Sequence, residues 1–473
     1  MNDEGRGFFT PDSFVSATRG RWLTPPRAGT SAHGASIDTR TIAQGQTFFA
    51  IRGDHGDGHD YLPQAAARGA YAAVIDRPPP GDLGASLGLL LVPDTRGALI
   101  DLARAYRAWL DGRTSRPRIV AVAGSNGKTT TTRLIEAILA SRFNGAASPK
   151  SFNNFLGVPL TVLSTRPEHQ YLICEIGTNA PGEVEALASI VRPDIAVITS
   201  IGREHLEGLG TIEGVASEQA SIMRHLTPEG LGIIPADGAA RRALHLRLRN
   251  HPRIETFGVA DDATHHTSDI HTTREGVTFT LHQTPLRLKL IGAHNALNAT
   301  AAAVVARWFG LDWTMIAEAL ATAVGPEMRL AVRTISGAEI INDAYNANPD
   351  SMLAAIRAFA DYARGAQRRV VILGQMLELG PASPAAHEEV ALALLGRADR
   401  IVLVGHGFHA AAELVSRRGE QVRWLVDLDE GRAAEAAAMI EPGDVVLLKG
   451  SRRMGIERIA ESLGHNARTQ ARP

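Results

Sequence analysis

The sequence predicts an α/β protein of three domains, in which a small N-terminal α/β domain precedes a central P-loop domain and a Rossmann-like C-terminal domain. The chain has 473 residues, and domains hold about 100–200 residues each. Short apolar runs alternate with longer helical patterns, which is typical of mostly parallel sheets covered on both faces. Changes in this pattern predict domains at residues 1–112, 113–325 and 326–473.

The first section contains short strand-like runs separated by Gly, Asp and Pro. We predict strands at Gln46–Ile51, Ala72–Ile75 and Leu89–Val92, followed by a helix at Leu99–Leu110. The next segment, Asp111–Arg118, is polar and contains proline, so it predicts a linker.

The central section begins with a strand of buried type, Ile119–Ala123. Further strands are predicted at Tyr171–Ile176, Ile195–Thr199 and Gly232–Ile234, and helices at Thr129–Ser141, Glu183–Ile190, Gly214–His225 and Ala296–Trp308. This alternation predicts a mostly parallel sheet. Weak alternation of apolar and polar residues between Arg253 and Leu290 predicts an antiparallel edge.

The third section repeats the alternation on a smaller scale. Strands are predicted at Glu339–Asn342, Arg369–Leu373, Arg400–Val404 and Val445–Lys449, and helices at Met352–Ala363 and His387–Leu394. The pattern favours a doubly wound, Rossmann-like domain.

Composition narrows the class of protein. The formal net charge of -1 argues against a nucleic-acid binder, which usually has a strong basic excess. The single cysteine, Cys174, excludes an intramolecular disulfide and fits a reducing compartment. The first residues lack the apolar core of a secretory signal, and the apolar runs are too short to span a bilayer. We therefore expect a cytoplasmic protein without membrane insertion.

The most informative stretch is a glycine loop between an apolar strand and a helix. In GSNGKTT, Gly124 and Gly127 let backbone N–H groups converge, and the following helix adds its positive end. Lys128 supplies charge to phosphates, and the Thr129 hydroxyl is suited to Mg²⁺. Val122 stands where the general P-loop pattern has glycine, and a purely structural turn is the alternative. The predicted ATP-binding residues here are Gly124, Ser125, Asn126, Gly127, Lys128, Thr129 and Thr130.

This loop resembles the nucleotide loop of the Mur ligases, a family that includes folylpolyglutamate synthases. Other stretches extend the resemblance over residues 36–457: SIDTR at 36–40, GDGHD at 56–60, SFNNFLGVPL at 151–160, CEIGTN at 174–179, REHLEGLG at 203–210, GAHNALN at 292–298, NDAYNANPDSM at 342–352, GQMLELG at 374–380 and KGSR at 449–452. Members of the family use ATP to convert a carboxylate into an acyl phosphate, which an amine attacks to form an amide.

The resemblance also implies the cofactors and partners. The N-terminal domain is expected to hold a UDP-linked muramoyl substrate, the central domain ATP with Mg²⁺, and the C-terminal domain to close over both. The phrases YNANPDSM, EIGTN and GQMLELG favour UDP-N-acetylmuramoyl-tripeptide and D-Ala-D-Ala as substrates of a monomeric ligase. A ligase of this family with another amine substrate and an ATP-binding relative that has lost turnover remain alternatives.

The resemblance assigns roles to individual residues. A carboxylate at a strand end beside a phosphate loop can bind Mg²⁺, so Glu175 joins Thr129 and the family's histidine, His205, as metal ligands, and Lys128, Glu175 and His205 are the catalytic candidates. Asn295, Arg329 and Asp343 are assigned to ATP, and Asn153, Asn154, Asp38, Thr39, Arg40, Tyr345, Asn346 and Asn348 to the substrates. The alternatives are a helix cap for Asn295, turns for Asn153 and Asn154, salt bridges for Arg329 and Asp343, and a strand-end charge for Lys449.

The sequence departs from the family pattern on the helix after His205. Mur ligases commonly carry a carbamylated lysine there, and this chain has Gln219, which cannot be carbamylated. A unit charge pair at about 4 Å with an effective dielectric near 20 is worth about 4 kcal/mol before desolvation. We therefore predict a weaker second Mg²⁺ site, or one completed by water and substrate. Glu204 and Glu207 are predicted to be surface charges, and Gln375 stands where an aspartate was expected.

Overall fold

The computed structural model describes residues 7–30, 32–53, 56–81, 83, 87–238, 241–249, 251 and 253–470. In these residues the chain forms three successive β-sheets with helices packed on them. Within the same ranges, no helix combines the length and the apolar character needed to cross a membrane.

The first sheet is mainly parallel. Its strands β1–β5 are Arg21–Thr24, Ala35–Ser36, Thr47–Phe49, Ala72–Ile75 and Gly88–Leu91, and helices α1–α3 are Pro11–Thr18, Leu62–Ala67 and Thr95–Asp111. The order is β1-β5-β4-β3-β2, and only the β1–β5 pairing among these described strands is antiparallel. The strands predicted in this section correspond to β3, β4 and β5.

The second sheet contains a parallel centre and an antiparallel edge. Strands β6–β14 are Arg118–Ala123, Gly145–Ala147, Tyr171–Glu175, Ile195–Ile198, Leu231–Pro235, Ile254–Gly258, His265–Thr273, Gly276–Leu281 and Thr284–Leu288. Helices α4–α11 are Lys128–Leu139, Gly157–Leu163, Glu183–Val191, Leu206–Leu209, Ile212–Ala220, Arg241–Leu248, His294–Trp308 and Trp313–Thr322. The order is β14-β13-β12-β11-β10-β9-β6-β8-β7, and the antiparallel β12–β13–β14 ladder confirms the predicted edge.

The third sheet has the order β15-β16-β20-β17-β18-β19. Strands β15–β20 are Ala331–Ile335, Ala338–Asp343, Arg368–Gly374, Arg400–Val404, Val422–Leu425 and Asp444–Lys449. Helices α12–α16 are Pro349–Tyr362, Ser383–Leu392, His409–Arg417, Glu430–Ala437 and Arg458–Gln470. Strands β16 to β19 are parallel to their neighbours, and β15 is an antiparallel edge.

Helix α3 joins the first two sheets into one continuous apolar core. Its buried side chains pack with residues from β4 and β5 and from α5, α6 and β6. The buried Arg107 guanidinium donates to the carbonyls of Val191 and Arg192 at 2.7 and 2.8 Å, and Tyr106 Oη donates to Thr165 O at 2.6 Å. The segment predicted as a linker therefore follows a helix that is anchored on the second sheet.

The chain leaves β6 toward β8 on one side of the second sheet and later returns with β9 on the other. In open parallel sheets, ligands bind outside the carboxyl ends of the strands at such a reversal. The strand ends Ala123, Glu175 and Ile198 therefore mark the expected position of a site.

Candidate active site

The phosphate loop requires glycine at two positions. Gly124 has φ +120°, and a Cβ there would lie 2.3 Å from Thr199 Oγ1. Gly127 has φ +87° and caps α4, and its Cβ would lie 2.3 Å from Asn298 Oδ1. Both the left-handed backbone and the close neighbours exclude a side chain. Val122 lies inside β6, so the glycine that bends the chain is Gly124 rather than the residue at 122.

The Lys128 ammonium is held inside the loop. It donates to Gly124 O at 2.5 Å and to Ser125 O at 3.4 Å. The loop itself is fixed by Ser125 N and Asn126 N, which donate to the backbone and the hydroxyl of Ser200 at 2.9 Å. The positive charge of Lys128 therefore lies where the loop amides and the α4 N-terminus converge.

Two buried oxygens beside the loop lack a hydrogen-bond partner among the described residues: Thr129 Oγ1 and Glu175 Oε2. Glu175 is 1% exposed, and its other oxygen accepts from Asn153 Nδ2 at 2.8 Å. Unsatisfied buried oxygens are costly and rare, and hydroxyl and carboxylate oxygens suit Mg²⁺. These two atoms fit a divalent cation.

His205 follows β9 in a left-handed conformation with φ +47°. Its Nδ1 lies 2.5 Å from Glu378 Oε2, a carboxylate of the third domain. This pairing places the proton on Nδ1 and leaves Nε2 as the free lone pair, which is how histidine ligands are commonly oriented.

The prediction that Glu204 is a surface charge is wrong. Its side chain is buried at 5% exposure, because the turn at residues 202–205 directs it inward. Its Oε1 accepts from Gln219 Nε2 at 3.1 Å, and Oε2 lies 3.8 Å from Lys128 Nζ. Glu207, predicted the same way, is exposed.

A cavity of about 190 Å³ lies between the second and third sheets. Most of the predicted metal and substrate residues line it, namely Ser125, Asn126, Gly127, Lys128, Asn153, Asn154, Glu175, His205, Arg329, Tyr345, Asn346 and Asn348. The turn interpretation also applies to Asn154, whose Oδ1 accepts from Leu156 N and Gly157 N at 3.1 and 2.9 Å. The Arg329 guanidinium stacks on the Tyr345 ring at 4.1 Å.

A second cavity of about 550 Å³ lies on the other side of Asn126 and Gly127. It is lined by other residues predicted to bind ATP, namely Thr130, Asn295, Arg329 and Asp343. Asn295 is not a helix cap, because α10 is capped by Ala293, and its amide donates to Ile291 O at 2.8 Å.

Lys449 is buried rather than a simple strand-end charge. It is 2% exposed and lies 2.6 Å from Asp343 Oδ2. Burial lowers the pKa of Lys449, and the pairing with Asp343 opposes this shift. Asp343 therefore makes the salt bridge that was its alternative role while it also lines the second cavity.

The third domain contacts the phosphate loop directly. Asn348 caps α12 through Ser351 and donates from Nδ2 to Asn126 Oδ1 at 2.8 Å. Asp350 accepts from the Arg203 backbone at 2.7 Å and from its guanidinium at 2.8 and 3.0 Å. Hydrogen bonds from Arg203 to Glu389 and Asp350 raise the pKa of Arg203. These contacts, which the sequence did not predict, close the cleft.

The residues predicted to bind the uridine nucleotide lie elsewhere. Asp38 pairs with Arg40 at 2.7 Å, and this pairing lowers the pKa of the Asp38 carboxyl. Arg40 is 87% exposed, and of the described cavities, none is lined by Asp38, Thr39 or Arg40. The N-terminal domain instead has a cavity of about 520 Å³ lined by Arg27, Thr30, His33, Gln44 and Tyr71.

Family models match the chain in three parts. Residues 31–107 match the Mur ligase family, catalytic domain, residues 122–306 match the Mur ligase middle domain, and residues 328–452 match the Mur ligase, glutamate ligase domain.

Full-length relatives and solved structures agree with these matches. The UDP-N-acetylmuramoyl-tripeptide–D-alanyl-D-alanine ligase of Bacillus subtilis is 32% identical over 461 residues, covering 96% of this chain and 98% of its own. The enzyme of the same name from Escherichia coli is 33% identical over 442 residues, covering 91% and 93%. A crystal structure of MurF from Acinetobacter baumannii has a TM-score of 0.83 at 29% identity, covering 96% and 98%. MurF from Thermotoga maritima, solved in complex with ADP, has a TM-score of 0.76 at 25% identity, covering 94% and 100%.

The α/β fold class and the family resemblance predicted from the motifs are thereby confirmed. The chain belongs to the Mur ligase family.

Proposed function

We propose that the protein is an ATP-dependent ligase that joins D-Ala-D-Ala to UDP-N-acetylmuramoyl-tripeptide through an acyl phosphate, in peptidoglycan precursor synthesis. The observation that carries this proposal is the closed cleft in which Lys128, Thr129 and Glu175 lie beneath residues of the third domain. The names of the relatives from B. subtilis and E. coli support the choice of substrates.

ATP would place its phosphates on the Gly124–Thr130 loop and its nucleoside in the second cavity, beside Asn295 and Asp343. Lys128 and the loop amides would stabilise the charge on the transferred phosphoryl group, since such transfers depend mainly on positioning and electrostatics. The relative solved in complex with ADP supports nucleotide binding.

Thr129 Oγ1 and Glu175 Oε2 would hold Mg²⁺, with His205 as the candidate ligand of a second ion. When bound, Mg²⁺ neutralises charge on the phosphate oxygens. Asn153 holds the other oxygen of Glu175 and so fixes the direction of its unpartnered oxygen.

The substrate carboxylate oxygen would attack the γ-phosphorus of ATP, and the bond to ADP would break. The amine of D-Ala-D-Ala would then attack the acyl carbon, release inorganic phosphate and lose a proton. The third domain, through Asn348 and Asp350, closes the cleft and keeps water from the acyl phosphate. We assign Tyr345, Asn346 and Asn348 to the dipeptide side and Asn153 and Asn154 to the carboxylate side, because all five line the same cavity.

The test is phosphate release from ATP with UDP-N-acetylmuramoyl-tripeptide, with and without D-Ala-D-Ala. Release that requires both, with a UDP-pentapeptide product by mass, is expected. Lys128→Met should lower kcat by about a hundredfold or more, and Lys289→Met, which removes an exposed lysine, should not. Release with another amine would identify a different ligase of the family, and nucleotide binding without release would identify a relative that has lost turnover.

We also propose that the enzyme acts in the cytoplasm as a monomer. ATP and UDP-linked precursors are cytoplasmic metabolites, and burial raises the pKa of the single cysteine, Cys174, to about 12, so that its thiol stays protonated and unreactive. Light scattering of the purified protein tests the oligomeric state, and a mass of twice 50.4 kDa would refute the monomer.

A further inference from the structure

Glu204 is a buried carboxylate at the phosphate loop that the proposed mechanism does not use. It is 5% exposed. Its Oε1 accepts from Gln219 Nε2 at 3.1 Å, while Oε2 lies 3.8 Å from Lys128 Nζ and 3.9 Å from His205 Nε2. A buried carboxylate is costly unless cations or hydrogen bonds surround it, and both surround this one.

Gln219 is committed to structure at both ends of its amide. Its Oε1 accepts from Gly124 N at 2.8 Å, and its Nε2 donates to Glu204. The amide cannot reverse, because Gly124 N–H needs an acceptor and the Glu204 carboxylate needs a donor. Gln219 therefore sets the position of the Glu204 carboxylate relative to the loop.

His205 presents its free nitrogen to the same place. Glu378 binds Nδ1, and Nε2 is directed toward Glu204 Oε2. A neutral imidazole nitrogen and a carboxylate oxygen side by side are a pair that divalent cations bind. The unpartnered oxygens of Thr129 and Glu175 lie at the same cavity or loop and would serve the first ion.

We propose that Glu204, positioned by Gln219, supplies the anionic ligand of a second divalent cation, with His205 Nε2 as its neighbour. The inference rests on the proposed function. In the described part of the chain no three His, Cys, Asp or Glu side chains converge on one point, so phosphate oxygens and water complete the shell, as is usual for Mg²⁺. The negative charge that Gln219 cannot carry is thus returned by Glu204, and the second site is not weakened in the way that residue 219 alone predicts.

The test counts Mn²⁺ ions by electron paramagnetic resonance titration of the full chain with a non-hydrolysable ATP analogue. The parent should bind two ions. Glu204→Gln keeps the shape and the hydrogen bond to Gln219 but loses the charge, so its second ion should bind at least about tenfold more weakly with unchanged analogue affinity. Glu207→Gln, an exposed residue of the same loop, should match the parent.

Several outcomes would overturn the inference. Glu204→Gln with two ions at parental affinity, or with tighter analogue binding and no loss of an ion, would make Glu204 only a counter-ion of Lys128. A parent that binds the analogue with one ion would also refute it while leaving the proposed function intact, whereas a parent that binds no analogue would refute the proposed function. If Glu204→Gln does not fold, Glu204→Asp retains the charge one methylene farther away, and an undiminished second-ion affinity in that variant would refute the inference.

Discussion

Arg203 and Asp350 form the main polar contact between the phosphate-loop domain and the third domain, so we expect the pair to set how readily the cleft closes. The carboxylate accepts two guanidinium hydrogen bonds at 2.8 and 3.0 Å, and it also accepts from Arg203 N at 2.7 Å. Arg203 reaches Glu389 as well, at 2.5 Å. Replacing either residue by alanine should therefore favour an open cleft.

The size of the effect follows from exposure. The two side chains are 32% and 38% exposed, so solvent screens their attraction, and exposed pairs contribute about 0.2–1 kcal/mol. The two-pronged geometry places this pair at the upper end of that range. A coupling of about 1 kcal/mol corresponds to roughly fivefold in kcat/KM for ATP.

A double-mutant cycle of Arg203→Ala and Asp350→Ala isolates this term, because the contact to Glu389 and the backbone acceptor cancel between its arms. The measured quantity is kcat/KM for ATP at low and high salt, since a screened pair weakens with ionic strength. Arg224→Ala, which breaks the Arg224–Glu185 pair inside the central domain, is the control. Additive effects of the two alanine substitutions, or a coupling that salt does not change, would refute the closure argument.

Two further predictions test the loop and the sheet beneath it. Gly127→Ala should abolish measurable ADP binding in a calorimetric titration, because its Cβ would lie 2.3 Å from Asn298 Oδ1; Gly182→Ala, at the similar φ of +86° with open space around it, should cost only about 1 kcal/mol of stability and leave ADP affinity unchanged, and equal losses would show that strain rather than crowding decides. Burial raises the pKa of the Asp194 carboxyl, but hydrogen bonds from Arg116 and Ile119 N outweigh burial and hold the pKa below its model value of 3.8. A lowered pKa in the folded state stabilises the protein above the unfolded value and is lost as the pH falls through the folded value, so Asp194→Asn should cost about 2 kcal/mol in urea unfolding at neutral pH. That difference should shrink below about pH 4, and a constant difference would contradict the assignment.

The parts of the fold that the sequence predicted are those where local pattern and tertiary burial agree. Strand β6 is an uninterrupted apolar run that is buried from Ile119 to Ala123, and β4 and β18 coincide with their predicted ranges. Strand β15, Ala331–Ile335, was missed because it is a half-exposed edge with polar residues facing outward. The predicted helix Gly214–His225 ends at Ala220, where the chain tightens into a 3₁₀ turn.

The site shows the same division between local and long-range information. The loop glycines, Lys128 and Thr129 are contiguous, so their arrangement follows from a short motif and the helix it begins. Asp350 and Glu378 come from a different domain, and their contacts with Arg203 and His205 depend on how two sheets pack. Asp38 and Arg40 are two residues apart and satisfy each other, which periodicity and composition do not reveal.

Gln219 illustrates why a departure from a family pattern cannot be interpreted at one position. Considered alone, an amide in place of an anion predicts the loss of charge beside the phosphates. Glu204 lies 15 residues earlier, and only the turn before His205 brings its carboxylate to the Gln219 amide. Because Gln219 bonds the loop at Gly124 and holds Glu204 at the same time, the two positions act as one unit. The charge at this site is therefore a property of the pair, and a variant of either residue has to be judged with its partner in place.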